Sequence, residues 1–556
     1  MPAPTVVVGG HRVGIDGFAT GGGTRRARPS AGGARRRWRR SALCLAAAAI
    51  VPAAAAPAVA GAQPAGPAQS VGDAGVAALQ DLSRFQERTG SSDLAAVDGI
   101  SGSTAMPGVE GSLGTAGSMD LYGSANTADT RVLGVGSTDP ATAPTGSTLS
   151  DSPAGQEIAT FYRPPADLPG TPGRIIRSEP SHLAWSVPGA DGPYPGVATR
   201  IMYSSQDTHG APNAVTGTFF AARAPWTGPG ERPLIVIAPG TQGQGDACAP
   251  SKLINSLASG SAQSGPLLEY EMIPVSIWLA KGANVVMTDY EGLGTPGMHT
   301  YVNRVSEAHA VIDAARAAGA LAGSGVTDST PIGIYGYSQG GGAAAAAAEL
   351  LGTYGADIAP RVAGVVAGAP PADLAATLRQ VDGTSLAGVI GYALNSMRTA
   401  YPDVVQPVLD AEINDRGRRM LDAVAQQCVG ETAAQFGFAD TAAFTRSGES
   451  VSQIVARYPE VEAVLEENRI GRIKPDAPVL VLSGNNDDIV PHGQAEQLAS
   501  DWCALGGDVR FDTFVEPSIL DGAGLGHVVP MLGGTPAFVD WLDARFAGEP
   551  MEGTCG

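Results

Sequence analysis

Cysteine is scarce in this chain, with five in 556 residues. No CxxC or HxxxH spacing occurs, so the sequence offers no zinc pattern and no metal is expected. Basic residues are also few, and unevenly placed. Residues 1–62 hold nine of the 35 Lys and Arg but only one of the 54 acidic residues, which leaves 26 basic against 53 acidic residues in the remainder. Such a surface repels nucleic acid and anionic membranes and favours solubility, so nucleic acid is not expected as a partner. Aromatic residues make up 6% and hydrophobic residues 44%, a globular composition, whereas 75 Gly and 42 Pro imply that part of the length is loop or linker. No internal repeat is evident.

The N-terminal segment has the layout of an export signal, residues 1–62. Arg25, Arg26, Arg28 and the run Arg35-Arg36-Arg37-Trp38-Arg39-Arg40 precede an apolar stretch from Ala42 to Ala60, which ends in Ala60-Gly61-Ala62 before Gln63. A membrane anchor is the rival reading, opposed by the Ala-rich composition and by Pro52 and Pro57. After cleavage no stable membrane insertion is expected, and the protein belongs outside the cell or in its envelope. Cys248, Cys428, Cys503 and Cys555 then remain, an even number that favours disulfides with three possible connectivities. Residues 63–155 are rich in Gly, Ala, Ser and Thr and cannot bury enough apolar surface to offset chain entropy, so a disordered spacer is expected there, with one short helix at Val76–Phe85.

From about residue 156 apolar runs become frequent. Leu234–Ala238, Ala283–Thr288, Ile332–Tyr335, Val362–Ala367, Pro478–Leu482 and Val509–Val515 read as strands, short and β-branched as in a sheet buried on both faces. Helical stretches lie between them, including Val305–Leu321 and Gly341–Leu351. This alternation predicts an α/β fold with a mostly parallel central sheet, built from residues 156–371 and 473–548. Residues 372–472 carry only helical patterns, among them Leu421–Gln427 and Val451–Glu467, and read as an inserted helical cap. Residues 549–556 form a tail.

The strongest chemical signal is Gly336-Tyr337-Ser338-Gln339-Gly340, a GxSxG pentapeptide between a strand and a small-residue helix. That context is a nucleophile elbow, which presents Ser338 on a strained turn with the helix N-terminus behind it. A serine hydroxyl needs a base, and the base needs an orienting acid. Only His492 and His527 follow Ser338. His527 lies in a Gly-rich loop beyond the last strand and is the preferred base; His492 heads the next helix and reads as a surface or capping residue. Asp487 and Asp488 both stand just past the strand Pro478–Leu482, where an open α/β sheet places its ligands, and position alone does not choose between them. The alternative role for the second aspartate is charge at a helix N-terminus. Oxyanion donors are expected from the backbone of Gln339 and from Thr241 and Gln242 in the loop after Leu234–Ala238. Gly292-Leu293-Gly294-Thr295-Pro296-Gly297 matches GxGxxG, but a dinucleotide site wants an acidic residue ending a second strand about 20 residues on, and that region reads as helix. Asp289-Tyr290-Glu291 beside it reads as structural.

Taken together, Pro239-Gly240-Thr241-Gln242-Gly243, Cys248-Ala249-Pro250-Ser251, Asp289-Tyr290-Glu291-Gly292-Leu293-Gly294, Gly336-Tyr337-Ser338-Gln339-Gly340-Gly341 and Gly484-Asn485-Asn486-Asp487-Asp488-Ile489-Val490-Pro491 resemble the secretory lipases of fungi and actinobacteria, the Candida antarctica lipase A-like branch of the α/β-hydrolases. The resemblance runs from about Phe161 to Phe546. It implies an α/β-hydrolase with a helical cap that binds the acyl chain, an acid at Asp487 and a base at His527. It also implies a disulfide between Cys248 and Cys428, which leaves Cys503 with Cys555. The expected reaction is ester hydrolysis through an acyl-enzyme, on lipid or related ester substrates, with neither metal nor organic cofactor. A non-lipolytic esterase, peptidase or acyltransferase on the same fold is the nearest alternative, and a non-catalytic cell-envelope binding protein is a more distant one.

Overall fold

The computed structural model describes residues 160–181, 183, 195–255, 258–259 and 267–555. The export-signal and spacer readings, with the helix expected at Val76–Phe85, lie outside these residues. Nine strands form one sheet: β1 (Ile175–Pro180), β2 (Gly196–Gln206), β3 (Pro212–Ala222), β4 (Leu234–Ala238), β5 (Asn284–Thr288), β6 (Ile332–Tyr337), β7 (Val362–Gly368), β8 (Val479–Gly484) and β9 (Val509–Phe514). Their order is β1-β2-β3-β5-β4-β6-β7-β8-β9. The first three pair antiparallel, as do β3 and β5, and the remaining neighbours are parallel.

Parallel strands β4 to β8 follow the apolar runs in the sequence because both of their faces are covered, whereas the edge strand β9 is only partly buried. Val236, Ile334, Val365 and Val481 join one core, packed on α2 (Arg304–Ala320), α3 (Gln339–Leu350) and α11 (His492–Ala504). Their neighbours Ile235, Tyr335, Val366 and Leu480 point the other way, into a core shared with α1 (Met272–Lys281) and α12 (Leu525–Phe546). This is the period-two alternation of a strand, with apolar residues at every position.

Sequence patterning does not reveal β1, β2 and β3. In β2 and β3 buried polar residues break the apolar runs, and several find partners only in the folded chain. Thr216 Oγ1 donates to Asp289 Oδ2 at 2.6 Å, Ser205 Oγ donates to Asp313 Oδ2 at 2.7 Å, and Tyr203 Oη lies 2.7 Å from Thr288 Oγ1. Asp289 also accepts the Ser251 N–H at 2.8 Å, so it secures the Cys248–Ser251 turn.

Between β7 and β8 the chain leaves the sheet for a run of helices: α4 (Leu374–Val381), α5 (Val389–Ala400), α6 (Pro402–Glu412), α7 (Asp415–Val424), α8 (Val429–Phe436), α9 (Val451–Val455) and α10 (Pro459–Glu467). They have a core of their own, which includes Tyr392, Leu409, Val424 and Phe444. Two helix expectations need correction here. Val451–Glu467 is not one helix, because Tyr458, forced into an extended conformation before Pro459, interrupts it (φ −120°, ψ 87°) and Pro459 starts α10. The helix expected at Leu421–Gln427 instead begins at Asp415 under an Asn414 cap and ends at Val424, so Cys428 can cap α8. Parallel strands β4, β6, β7 and β8 all end on one edge of the sheet, and the helical insertion departs from that same edge.

Candidate active site

The chain turns sharply where β6 ends. Ser338 has φ 59° and ψ −124°, a backbone region that L-residues avoid. A Cβ at Gly336 would stand 2.0 Å from the carbonyl oxygen of Gly340, and one at Gly340 would stand 2.0 Å from that of Ala238. Only glycine lets strand and helix close around the serine in this way. The Ser338 N–H donates to the Gly368 carbonyl at 2.9 Å, which ties the turn to the end of β7. Helix α3 starts at the next residue.

The Ser338 hydroxyl donates to Nε2 of His527 at 2.8 Å, and Nδ1–H of His527 donates to Oδ2 of Asp487 at 2.8 Å. Asp487 Oδ1 accepts two backbone N–H groups, Ile489 at 3.0 Å and Val490 at 2.8 Å. His527 is not in a loop, as the sequence reading has it. It is the third residue of α12, whose start follows Gly524 in the left-handed region. Asp488 explains that start: its Oδ2 accepts the Gly524 N–H at 2.7 Å. Asp488 therefore does place charge at a helix N-terminus, that of α12 rather than of the helix nearest in sequence. Burial pushes its carboxyl above the ordinary range. A Cβ at Gly526 would lie 2.0 Å from the Asn486 carbonyl oxygen, so the acid loop and the first turn of α12 meet backbone to backbone. Tyr337 Oη donates to the His527 carbonyl at 2.8 Å. His492 is elsewhere, at the start of α11 with Nε2 3.4 Å from Thr513 Oγ1.

The loop after β4 is held from several sides. The Gly240 N–H donates to Glu271 Oε1 at 2.8 Å, Tyr290 Oη donates to the Pro239 carbonyl at 2.9 Å, and Thr241 Oγ1 lies 2.9 Å from Tyr301 Oη. Thr241, Ser338 and Gln339 line one cavity. Gln242 is not among its lining residues; it is buried under the helical insertion, where its carbonyl accepts the Val429 N–H at 2.8 Å. Beyond the serine the cavity wall is apolar, with Leu378, Ile390, Met397, Val464 and Ile489 among its side chains. Disulfides join Cys248 to Cys428, fastening the insertion beside the β4 loop, and Cys503 to Cys555. Among the described residues no group of three or more His, Cys, Asp or Glu is gathered to hold a metal ion.

Residues 257–554 match the family model of secretory lipases. The chain belongs to the secretory lipase family. It is 30% identical over 399 residues to a Mycobacterium tuberculosis protein described as a probable inactive lipase, a match covering 70% of this chain and 82% of that one. It is 26% identical over 418 residues to lipase 10 of Candida albicans, covering 71% and 82%. The closed-state crystal structure of Candida antarctica lipase A superposes with a TM-score of 0.58 at 18% identity, covering 73% of this chain and 88% of that one. The fold is that of an α/β-hydrolase, and membership of the family places the chain among carboxylic-ester hydrolases.

Several buried groups around the site have no signal in the sequence. The Gln339 side chain, immediately after the serine, donates from Nε2 to Glu307 Oε1 at 2.7 Å and lies 3.0 Å from His299 Nε2. Nδ1–H of His299 donates to the Glu291 carbonyl at 3.0 Å, which leaves Nε2 free to accept. Burial lowers the His299 imidazole to about 4 and raises the Glu307 carboxyl to about 8, so both are neutral near pH 7. Glu271, which holds Gly240, is raised by burial to about 7. Glu516 is raised to about 8 by burial and then by Asp487 and Asp488. Asn303 caps α2 and Glu307 follows in its first turn, a pattern that in sequence signifies only a helix start.

Proposed function

We propose that this chain is an exported serine hydrolase, a lipase that cleaves acylglycerols or related lipid esters. The observation that carries the reading is the unbroken relay Ser338–His527–Asp487, 2.8 Å at each link, opening on an apolar cavity. His527 takes the Ser338 proton as the hydroxyl attacks the ester carbonyl, and Asp487 stabilises the imidazolium that forms. The backbone N–H of Gln339, at the N-terminus of α3, and a donor from Thr241 hold the tetrahedral oxyanion. His527 then protonates the departing alcohol, and water repeats the sequence on the acyl-enzyme. No step needs a metal, an organic cofactor, a nucleic acid or a stable membrane-inserted segment. The apolar wall of the cavity suits an acyl chain.

A non-catalytic reading is prompted by the M. tuberculosis relative described as probably inactive. The intact relay supports activity instead, and a fluorophosphonate separates the two. Wild type is expected to label at Ser338 and to hydrolyse p-nitrophenyl esters and triglycerides; Ser338→Ala is expected to remain unlabelled, with turnover lower by ~10³-fold or more. Retained turnover in the alanine variant would remove the assignment.

A further inference from the structure

The apolar cavity above Ser338 ends against the outer side of the helical insertion. Three half-buried side chains meet there, Leu378 of α4, Val455 of α9 and Leu465 of α10. The same three also line a second hollow, whose other residues include Asp373, Arg379, Glu462 and Glu466. The oily cavity and the charged, water-accessible hollow thus share these three side chains as a common wall. Its position follows from the break at Tyr458-Pro459. Helix α9 stops at Val455 and α10 starts only at Pro459. Leu378 and Leu465 are not β-branched, and rotation about χ1 moves them without disturbing a helix.

We propose that Leu378, Val455 and Leu465 are specificity-determining residues for acyl-chain length, and that a chain longer than the cavity passes between them so that its distal end emerges in the charged hollow. This rests on the ester-hydrolase reading of the site. Inside the cavity each buried methylene strengthens binding about fourfold. Beyond the wall the chain returns to water, so the gain with length levels off there instead of reversing into a clash. A terminal hydroxyl is penalised on a chain that ends inside the cavity, where it has no partner, and is accepted on a longer chain that carries it into the hollow.

The experiment compares wild type, Leu465→Trp and Leu465→Ala, each first shown to be folded by circular dichroism and melting. The ratio of kcat/KM on p-nitrophenyl hexadecanoate to that on the butyrate is expected to fall about tenfold or more in Leu465→Trp and to rise in Leu465→Ala. For wild type, ω-hydroxyhexadecanoate should be hydrolysed within about tenfold of plain hexadecanoate, and ω-hydroxyoctanoate should be much poorer than octanoate. Ratios identical in all three folded proteins would overturn the proposal. A binding arm on Ser338→Ala reads the wall without turnover: calorimetry with fatty acids of increasing length should show Leu465→Trp shortening the longest chain that still gains affinity. Should wild type hydrolyse no ester while that length limit persists, the hydrolase reading fails and the wall stands. Binding indifferent to Leu465→Trp sinks the wall, whatever the activity.

Discussion

Replacing Asp487 with Asn changes one atom and should disable the relay, for a reason visible in the hydrogen bonds around it. Oδ1 of Asp487 accepts from the backbone N–H groups of Ile489 and Val490, and both of those are donors. An asparagine must therefore turn its carbonyl oxygen to them, which leaves its NH₂ facing Nδ1 of His527. Two donors cannot share that 2.8 Å contact, so the imidazole carries its proton on Nε2 instead, pointing at the Ser338 hydroxyl it should deprotonate. The side chain is buried, so water cannot repair the mismatch. The lost tautomer and the lost charge opposite the imidazolium together correspond to ~10³–10⁴-fold in kcat, or about 4–5.5 kcal/mol of transition-state stabilisation. Steady-state hydrolysis of p-nitrophenyl butyrate measures this, with melting as the control for folding. Asp488→Asn is the matched comparison. Its carbonyl can still accept the Gly524 N–H, so kcat should stay within about tenfold of wild type. A loss below tenfold in Asp487→Asn, or an equal loss in both variants, would refute the orientation argument.

Two further outcomes are expected. The Glu307 carboxyl releases its proton near 4.5 when unfolded but near 8 in the folded protein, so between those values the native state binds more protons and each rise in pH costs stability, by up to about 1.4 kcal/mol per pH unit for this group. Its contribution is whole below pH 4.5 and lost by pH 8. Glu307→Gln should flatten the fall of melting temperature between pH 5 and 8, and a slope equal to wild type would contradict the assignment. Removing the Cys248–Cys428 bridge, which spans 180 residues, with paired Ser substitutions should lower stability by up to about 5 kcal/mol on the chain-entropy model and weaken hydrolysis of long-chain esters more than short. An unchanged melting temperature together with an unchanged chain-length profile would show that the bridge neither constrains the unfolded chain nor holds the insertion over the cavity.

The elbow was legible because its requirements are local. A strand, two glycines and a small-residue helix within a dozen residues determine the turn at Ser338 whatever lies around it. Parallel strands β4 to β8 were legible for a related reason, since burial on both faces leaves a nearly continuous apolar run, whereas the partly exposed edge strand β9 showed as alternation. The first three strands were hidden because Ser205, Thr216 and Tyr203 satisfy their polar atoms against Asp313, Asp289 and Thr288, partners between 73 and 108 residues away. The helix expected across Val451–Glu467 failed at a local signal that apolar periodicity overrode, the proline at 459.

By itself, then, the sequence determined the elbow, the order of serine, acid and histidine, and the parallel strands, since each depends on residues close together in the chain. Tertiary structure alone decided that His527 opens a helix, that Asp488 holds the start of that helix, and that Glu307 and His299 lie neutral behind Gln339. Those outcomes depend on which distant backbone groups are buried together, and on how far burial suppresses charge. A linear pattern carries neither quantity.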